Sequence, residues 1–290
     1  MSGPDSFILN FTPTGMLPTR EQSPFVPLSP PEIIADVLAA AEIGITSVHL
    51  HVRNPQTGQP DYRPELYAEV INGIRRYAPE LVIIVSLSGR FDNLIEHRSA
   101  PLQLTGAEKP DMGSLTLSSL NFNRSASVNA PDTIIGLAEL MRQYRIKPEL
   151  EAFDAGMINY AKYMIRKGIL TPPYMFNMIF GNISCAQADM FSAAHMLAEL
   201  PPGALWTMGG VGDFQFRMNM TALLYGGGVR VGLEDNLYLN PDRKKLARNL
   251  DLVKRIHSAA RMCGRKVMSP AQLRKQLGLE DGHGRYGVRE

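Results

Sequence analysis

The chain has 290 residues, of which 44% are hydrophobic and 20% are charged, and its formal net charge is +2. This composition can bury a sizeable core, so it excludes a largely disordered protein. A charge so close to neutral argues against nucleic acid or a membrane surface as the main partner. The length fits one large domain, which we expect to span residues 1–290.

The cysteines and the N-terminal segment indicate the cellular compartment of the protein. Cys185 and Cys263 are too few for a disulfide framework and lack the spacing of a cysteine metal site. No basic segment followed by a long apolar stretch opens the chain, and no run of about 18 apolar residues occurs. The sequence therefore predicts a cytoplasmic protein without a membrane-spanning segment.

Short apolar runs alternate with helical patterns along the whole chain. The first predicted strand, 7–11, precedes a helix whose start is marked by the capping pair Ser29 and Glu32 and whose end is marked by Gly44. Further strands are predicted over 46–52, 81–87, 113–117, 149–153, 174–180, 205–208 and 229–233. Further helices are predicted over 64–77, 133–144, 156–167, 186–200, 214–225 and 241–262.

This alternation indicates a single type of fold. Repeated strand–helix units imply right-handed crossovers and a parallel sheet, and eight strands favour closure into a (β/α)8 TIM barrel. The polar tail from about residue 264 is predicted to form a C-terminal arm outside the barrel, either packed on a neighbouring subunit or frayed.

Two histidines and a glutamate form a candidate metal site. His49 and His51 are spaced i and i+2 on the second predicted strand, so their side chains share a face. Glu234 follows the eighth strand and should lie at the same barrel end. This ligand set is that of an open catalytic zinc site, and it also suits Fe, Co, Ni or Mn. The alternative is a hydrogen-bonded pair of structural histidines, but a carboxylate at another strand end favours the metal, because buried charges need partners.

Other polar residues also fall at predicted strand ends, where barrel enzymes place their reactive groups. They are Asn10, Ser86, Ser88, Ser114, Thr116, Glu151, Arg230 and Asp235. Glu149 shares a face with Glu151, which lies nearer the strand end and is the better candidate; a solvated glutamate at the rim is the alternative. Asp235, beside Arg230 and a metal, would be ionised and ready to accept a proton.

Glycines after the seventh strand are candidates for cofactor binding. Gly209, Gly210 and Gly212 lie where barrels often bind phosphate through backbone N–H groups. Tight turns that need a positive φ explain them equally well.

Several longer motifs carry a family resemblance. They are Thr14-Gly15 with Thr19-Arg20, HLHVRNPQTGQP from His49, Leu120-Asn121-Phe122, Pro148-Glu149-Leu150-Glu151, Trp206-Thr207, and GGVRVGLEDN from Gly227. With these motifs, from about residue 7 to residue 270, the chain resembles the β-keto acid cleavage enzyme family. The resemblance implies a zinc-dependent (β/α)8 barrel, a homodimer or homotetramer, that exchanges acyl groups between a β-keto acid and acetyl-CoA and releases acetoacetate and a new CoA thioester.

The resemblance also implies a role for individual residues. The zinc ligands fall on His49, His51 and Glu234. The site serine, the second acid, the arginine and the catalytic aspartate fall on Ser86, Glu151, Arg230 and Asp235, and a hydroxyl position on the fourth strand falls on Ser114. Asp235 would take a proton from the substrate's α-carbon, and Ser86 would hold the substrate carboxylate.

Two departures from the family pattern bear on the substrate. The family's Ser-Thr-Gly-Gly is Ser86-Leu87-Ser88-Gly89 here, followed by Arg90, and a glutamate of the amino-substrate member is replaced by Leu17. An ammonium group would lose its counter-charge at Leu17. We therefore expect a β-keto acid with a neutral or apolar side chain, while Arg90 could instead favour a second carboxylate.

Two other functions remain open from the sequence. A metal-dependent barrel hydrolase would also use an HxH pair, but it would add histidine ligands at later strand ends, and none occurs there. A barrel that binds a metal or a CoA ester without catalysis would hold zinc and release no acetoacetate.

Overall fold

The computed structural model describes residues 5–280, and its centre is a closed barrel of eight parallel strands. The strands are β1 (Leu9–Phe11), β2 (Ser47–Leu50), β3 (Val82–Val85), β4 (Met112–Thr116), β5 (Lys147–Ala152), β6 (Met175–Phe180), β7 (Leu205–Gly210) and β8 (Gly228–Val231). Each strand pairs with the next one, and β8 closes the barrel on β1, with Arg230 opposite Asn10. The predicted (β/α)8 TIM barrel is confirmed.

Helices surround the barrel and connect its strands. They are α1 (Pro30–Ile43), α2 (Pro64–Arg75), α3 (Ile95–Ser99), α4 (Pro131–Gln143), α5 (Ala155–Arg166), α6 (Met190–Glu199), α7 (Phe214–Leu224), α8 (Asn249–Met262) and α9 (Pro270–Leu277). Within residues 5–280, none of these helices combines the length and the apolar character needed to cross a bilayer.

Strand β3 shows how the sequence builds the barrel wall. All four of its residues, Val-Ile-Ile-Val, are buried, because a parallel barrel strand is covered on both faces. Ile83 and Val85 belong to the core between the strands and the outer helices. Val82 and Ile84 belong to a separate apolar cluster on the other face of the strand. A continuous β-branched run is therefore the expected pattern.

Two predicted helices begin later in the structure than the sequence suggested. The helix predicted over 241–262 begins at Asn249, because residues 232–248 form a loop that contains one bridge between Tyr238 and Leu246. Arg243 in this loop has a φ of 54°, which a right-handed helix does not contain. The helix predicted over 186–200 begins at Met190, where the Asp189 carboxylate accepts the N–H of Ser192 and caps it.

The segment after Gly264 covers the amino end of the barrel. Lys266–Val267 pairs with Ser6–Phe7, and helix α9 follows. Its Leu273 and Leu277 are buried with the first residues of several barrel strands. The sequence predicted an arm outside the barrel from about residue 264; through residue 280 the chain instead packs on the barrel, because its apolar residues complete that end. Residues 281–290 of the predicted arm lie outside the described residues.

The start of α1 confirms the pairing of Ser29 with Glu32. The Glu32 carboxylate accepts the backbone N–H groups of Leu28 and Ser29 at 3.1 and 3.0 Å and the Ser29 hydroxyl at 2.9 Å, and it pairs with Arg20. Burial alone would raise the pKa of Glu32, but these hydrogen bonds outweigh it and lower the pKa to about 2.

We expect Glu32→Ala to lower the melting temperature at pH 7 by roughly 2–4 °C, since the loss of a capping contact costs about 1 kcal/mol. Because the pKa of Glu32 is depressed on folding, its contribution is present above the unfolded value near 4.5 and is lost as pH falls towards 2. Melting temperatures measured from pH 7 down to pH 3 should therefore converge. Glu65→Ala, an exposed acid in the first turn of α2, is the control, and a constant difference at all pH values would contradict this account.

Candidate active site

Most of the predicted strand-end residues line one cleft at the carboxyl end of the barrel, whereas Asn10 and Ser114 do not. The predicted residues that line this cleft are Leu17, His51, Ser86, Ser88, Arg90, Thr116, Glu151, Arg230, Glu234 and Asp235. Its apolar lining is Met16, Leu120, Phe122, Phe153, Ile179 and Val211. The cleft thus combines charged and polar side chains with apolar ones, which is typical of a site for a small molecule.

His49, His51 and Glu234 lie together; His51 and Glu234 line the cleft, and His49 is buried. Each offers a ligand atom, and these atoms lie within 4.8 Å of one another. His49 belongs to β2 and His51 follows it, so both imidazoles leave the strand on one face, with ring centroids 5.2 Å apart. Gly15 packs against the third residue of the cluster, Glu234. The φ of Gly15 is +67°, and a Cβ there would lie 2.5 Å from Cγ of Glu234. Only glycine allows that approach.

These three residues fit a divalent metal ion. Glu234 Oε1 lies 3.2 Å from Nε2 of His51, whereas Glu234 Oε2 is buried and has no hydrogen-bond partner among residues 5–280. A buried carboxylate oxygen without a donor is costly, and a cation removes that cost. Two imidazoles and one carboxylate are a known open zinc ligand set.

The charges around the two imidazoles differ. Burial favours neutral His49, but the carboxylates of Glu149 and Glu234 outweigh burial and raise the pKa of His49 to about 9. Burial dominates for His51 and lowers its pKa. Burial would also raise the pKa of Glu234, but Arg230 and the two histidines hold it well below its usual range. The positive charges of His49 and Arg230 therefore lie beside the ionised carboxylate of Glu234.

Arg230 connects three carboxylates of the cleft. Its Nε donates to Asp235 Oδ2 at 2.8 Å, its Nη2 donates to Glu234 Oε1 at 2.7 Å, and its Nη1 lies 3.9 Å from Glu151 Oε1. Only 2% of the Arg230 side chain is exposed. Gly209 permits this position, since a Cβ there would lie 3.0 Å from Cβ of Arg230. A buried guanidinium is thus neutralised by several acids.

The two remaining acids are more basic than free carboxylates. Burial raises the pKa of Asp235, and Arg230 opposes this increase only in part. That Asp235, beside Arg230 and a metal, is ionised and ready to accept a proton stays a prediction. Burial likewise raises the pKa of Glu151, whose Oε2 accepts the Thr116 hydroxyl at 2.7 Å.

The loop after β3 forms one wall of the cleft. Ser86 Oγ accepts the Ser88 N–H at 3.4 Å. Gly89 is required by packing, because a Cβ there would lie 2.6 Å from Val128 O and from Arg98 Nη1. The Arg90 guanidinium lies 3.7 Å above the Phe122 ring and donates to Ser125 Oγ. The wall therefore presents a fixed cation to the cleft.

Several predicted site residues lie away from the cleft lining, namely Ser114, Gly209, Gly210 and Gly212. The buried Ser114 hydroxyl accepts the N–H of Leu87 and so joins β4 to the loop after β3. A Cβ at Gly210 would lie 2.7 Å from Phe214 O, and the Gly212 N–H donates to Asp235 O at 2.7 Å. These contacts give each residue a packing role, and their binding of substrate or cofactor stays a prediction.

Sequence reasoning missed the position of Glu149. It is fully buried, and its Oε2 lies 2.7 Å from Nδ1 of His49. The spacing of Glu149 and Glu151 put both on one face, but no sequence signal separated the barrel interior from its rim. Two other histidines within residues 5–280 have partners elsewhere: His97 pairs with Asp92, and His257 contacts Gly44 O.

The carboxyl end of the barrel holds a candidate metal cluster and, beside it, an aspartate paired with an arginine. This fold and this site are those of a (β/α)8 barrel enzyme. The family model described as beta-keto acid cleavage enzyme matches residues 6–279. The chain therefore belongs to the beta-keto acid cleavage enzyme family, which confirms the resemblance, and it is an acyltransferase.

Individual relatives agree with this assignment. The chain is 38% identical to a 3-oxoadipate:acetyl-CoA acetyltransferase of Cupriavidus necator, covering 94% of each chain. It is 34% identical to a 3-keto-5-aminohexanoate cleavage enzyme of Fusobacterium nucleatum, covering 90% of this chain and 94% of the relative. The solved structure of ObcA shares the fold, with a TM-score of 0.76 at 18% identity over 92% of this chain. This chain spans 66% of the ObcA chain, just under two thirds of its length.

Because Arg230 compensates several buried acids, we expect Arg230→Met to destabilise the metal-stripped protein by about 3–5 kcal/mol. Arg90→Met should cost less than about 1 kcal/mol, since Arg90 is only partly buried. Urea unfolding followed by tryptophan fluorescence measures both. Equal losses would show that Arg230 is not the electrostatic centre of the cleft.

Proposed function

We propose that this enzyme is zinc-dependent and converts a β-keto acid and acetyl-CoA into acetoacetate and a new acyl-CoA. The observation that carries the proposal is the arrangement of Arg230, Asp235 and Glu234 beside the two histidines. It combines a candidate metal centre, a candidate base and a cation that neutralises both acids. The names of the relatives from Cupriavidus necator and Fusobacterium nucleatum support this chemistry.

In this proposal His49, His51 and Glu234 hold Zn²⁺. When bound, the cation acts as a Lewis acid that polarises the substrate's keto group. The cleft opens beside Glu234 and His51, so a small acid reaches this point from the solvent.

Asp235 is the proposed base. Arg230 Nε holds its Oδ2 at 2.8 Å and so fixes the direction of the carboxylate. Asp235 takes a proton from the α-carbon of the β-keto acid, and the resulting carbanion attacks the carbonyl carbon of acetyl-CoA. The CoA thiolate expelled by this attack then adds to the former keto carbon, the bond between that carbon and the α-carbon breaks, and the acetoacetate carbanion takes the proton back from Asp235 before it leaves.

The remaining polar residues bind and orient the substrate. Ser86, with Ser88 and Gly89 in the same loop, holds the substrate carboxylate through hydroxyl and N–H donors. Thr116 and Glu151, already joined by a hydrogen bond, contact the reacting carbons from the opposite wall. We further propose one domain that assembles as a homo-oligomer in the cytoplasm.

Arg90 and Leu17 select the substrate's far end. Leu17 is 47% exposed in the cleft and supplies no counter-charge for an ammonium group. Arg90 supplies a guanidinium held over Phe122. Since the Cupriavidus necator relative is named for 3-oxoadipate, which has a carboxylate at each end, we propose that a dicarboxylic β-keto acid is preferred over a cationic one.

Asp235→Asn should keep the fold and the bound zinc yet lower turnover about 10²- to 10⁴-fold, because the amide cannot accept the proton. Glu234→Gln should lose zinc. Acetoacetate release and metal analysis by mass spectrometry on the same preparations measure the two effects. Full turnover in Asp235→Asn would remove Asp235 from its proposed role.

Initial rates on cationic, neutral and dicarboxylic β-keto acids with acetyl-CoA test the choice of substrate. We expect the dicarboxylic acid to be preferred, and Arg90→Met to lower kcat/KM for it about 10- to 100-fold, because an interaction with a charged group is lost. The rate on the neutral acid is the internal control. Preference for the cationic acid would contradict this assignment.

A further inference from the structure

We propose that Glu149 is a positioning residue that keeps the proton of His49 on Nδ1 and leaves Nε2 free to bind the metal. This inference rests on the proposed zinc site. It involves six side chains in the barrel interior, which we call the Glu149 network: Asn10, Ser47, His49, Glu149, Asn177 and Thr207.

Three donors surround the Glu149 carboxylate. Its Oε1 accepts Nδ2 of Asn10 at 2.7 Å and Nδ2 of Asn177 at 3.1 Å, and its Oε2 lies 2.7 Å from Nδ1 of His49. All four side chains are 0–1% exposed. Oε1 of Glu149 thus acts as an acceptor for two amide N–H groups, and Oε2 is the oxygen that faces His49.

Two hydroxyl groups satisfy the carbonyl oxygens of the amides, whose NH₂ groups donate to Glu149. Ser47 Oγ donates to Asn10 Oδ1 at 3.0 Å, and Thr207 Oγ1 donates to Asn177 Oδ1 at 3.1 Å. Each amide therefore turns its NH₂ group towards Glu149. Turning both amides over would aim two carbonyl oxygens at the same carboxylate oxygen, which a single proton cannot satisfy.

The position of Glu149 decides which nitrogen of His49 carries the hydrogen. Nδ1 lies 2.7 Å from Oε2 of a carboxylate whose other oxygen already accepts two N–H groups, so Nδ1 carries a hydrogen and donates it to Oε2. Nε2 is then the ring nitrogen that is left to act as a ligand, in the cluster with His51 and Glu234. A carboxylate behind a ligating imidazole fixes its orientation and makes it a stronger ligand.

A purely structural role explains the network poorly. Its members come from β1, β2, β5, β6 and β7, so the network replaces an apolar layer across most of the barrel interior. A buried ionic layer is commonly no more stable than apolar side chains of similar volume. The layer is therefore better explained by what it does for His49.

Zinc affinity of the stripped protein, measured by competition with a chelating dye, tests the proposal. Glu149→Gln should weaken zinc binding about 10- to 100-fold, because with its one oxygen towards Asn10 and Asn177 its NH₂ group faces Nδ1 of His49 and cannot accept the Nδ1 hydrogen. Thr207→Val, which removes only the hydroxyl that orients Asn177, should weaken binding by a smaller factor. Asp111→Asn is the matched control: this buried acid pairs with Arg75 and Arg274 at the other end of the barrel.

The control should lose stability and keep the zinc affinity of the wild type, which separates positioning from general destabilisation. The Co²⁺ absorption spectrum should change in Glu149→Gln and not in Asp111→Asn. Wild-type affinity in Glu149→Gln would overturn the inference, and if that variant does not fold, wild-type affinity in Thr207→Val would overturn it. A wild-type protein that binds no zinc would instead defeat the proposed function itself.

Discussion

The cleft depends on one buried guanidinium. Arg230 lies in β8, the strand that closes the barrel, and contacts the carboxylates of Asp235, Glu234 and Glu151. Without it, three acids would share a small volume of low dielectric constant, where like charges repel strongly. The guanidinium is planar and has five N–H donors, so one side chain can hold several acids in different directions. The strand that closes the barrel therefore also supplies the residue that holds the acids of the cleft together.

The site is built in two polar layers with different neighbours. The upper layer, around Arg230, faces the cleft and the solvent beyond it. The lower layer, the Glu149 network, is enclosed within the barrel. His49 belongs to both layers, because one ring nitrogen faces Glu149 and the ring lies against His51. An imidazole suits this position, since its two nitrogens can serve two different environments.

Much of this arrangement could be predicted from the sequence. The alternation of strands and helices predicts the barrel. The rule that parallel strands end at one face predicts, from the sequence alone, that His49, His51 and Glu234 lie together. Burial could not be predicted as well. The sequence left open that Glu149 lies at the solvated rim of the barrel, because alternation along a strand shows which face a residue lies on and not how deeply it is buried. The raised pKa of Asp235 could not be predicted for a related reason, because desolvation depends on everything that covers a residue.

Loops and the chain ends were the other source of error. The segment 232–248 has a helical pattern in part, but its course follows from contacts with distant residues, such as the hydrogen bond from Ala247 N–H to Leu237 O. The packing of α9 on the barrel likewise depends on apolar strand ends scattered through the sequence. Local patterns carry little information about either.

The position of α9 has a consequence for synthesis of the protein. The strand that begins the described chain, Ser6–Phe7, finds its partner only at Lys266–Val267, and the apolar amino ends of β3, β4 and β6 are covered only once α9 is present. The chain up to about Leu277 must therefore have left the ribosome before this end of the barrel can close. Until then the nascent chain exposes an apolar surface, which is the surface that chaperones recognise.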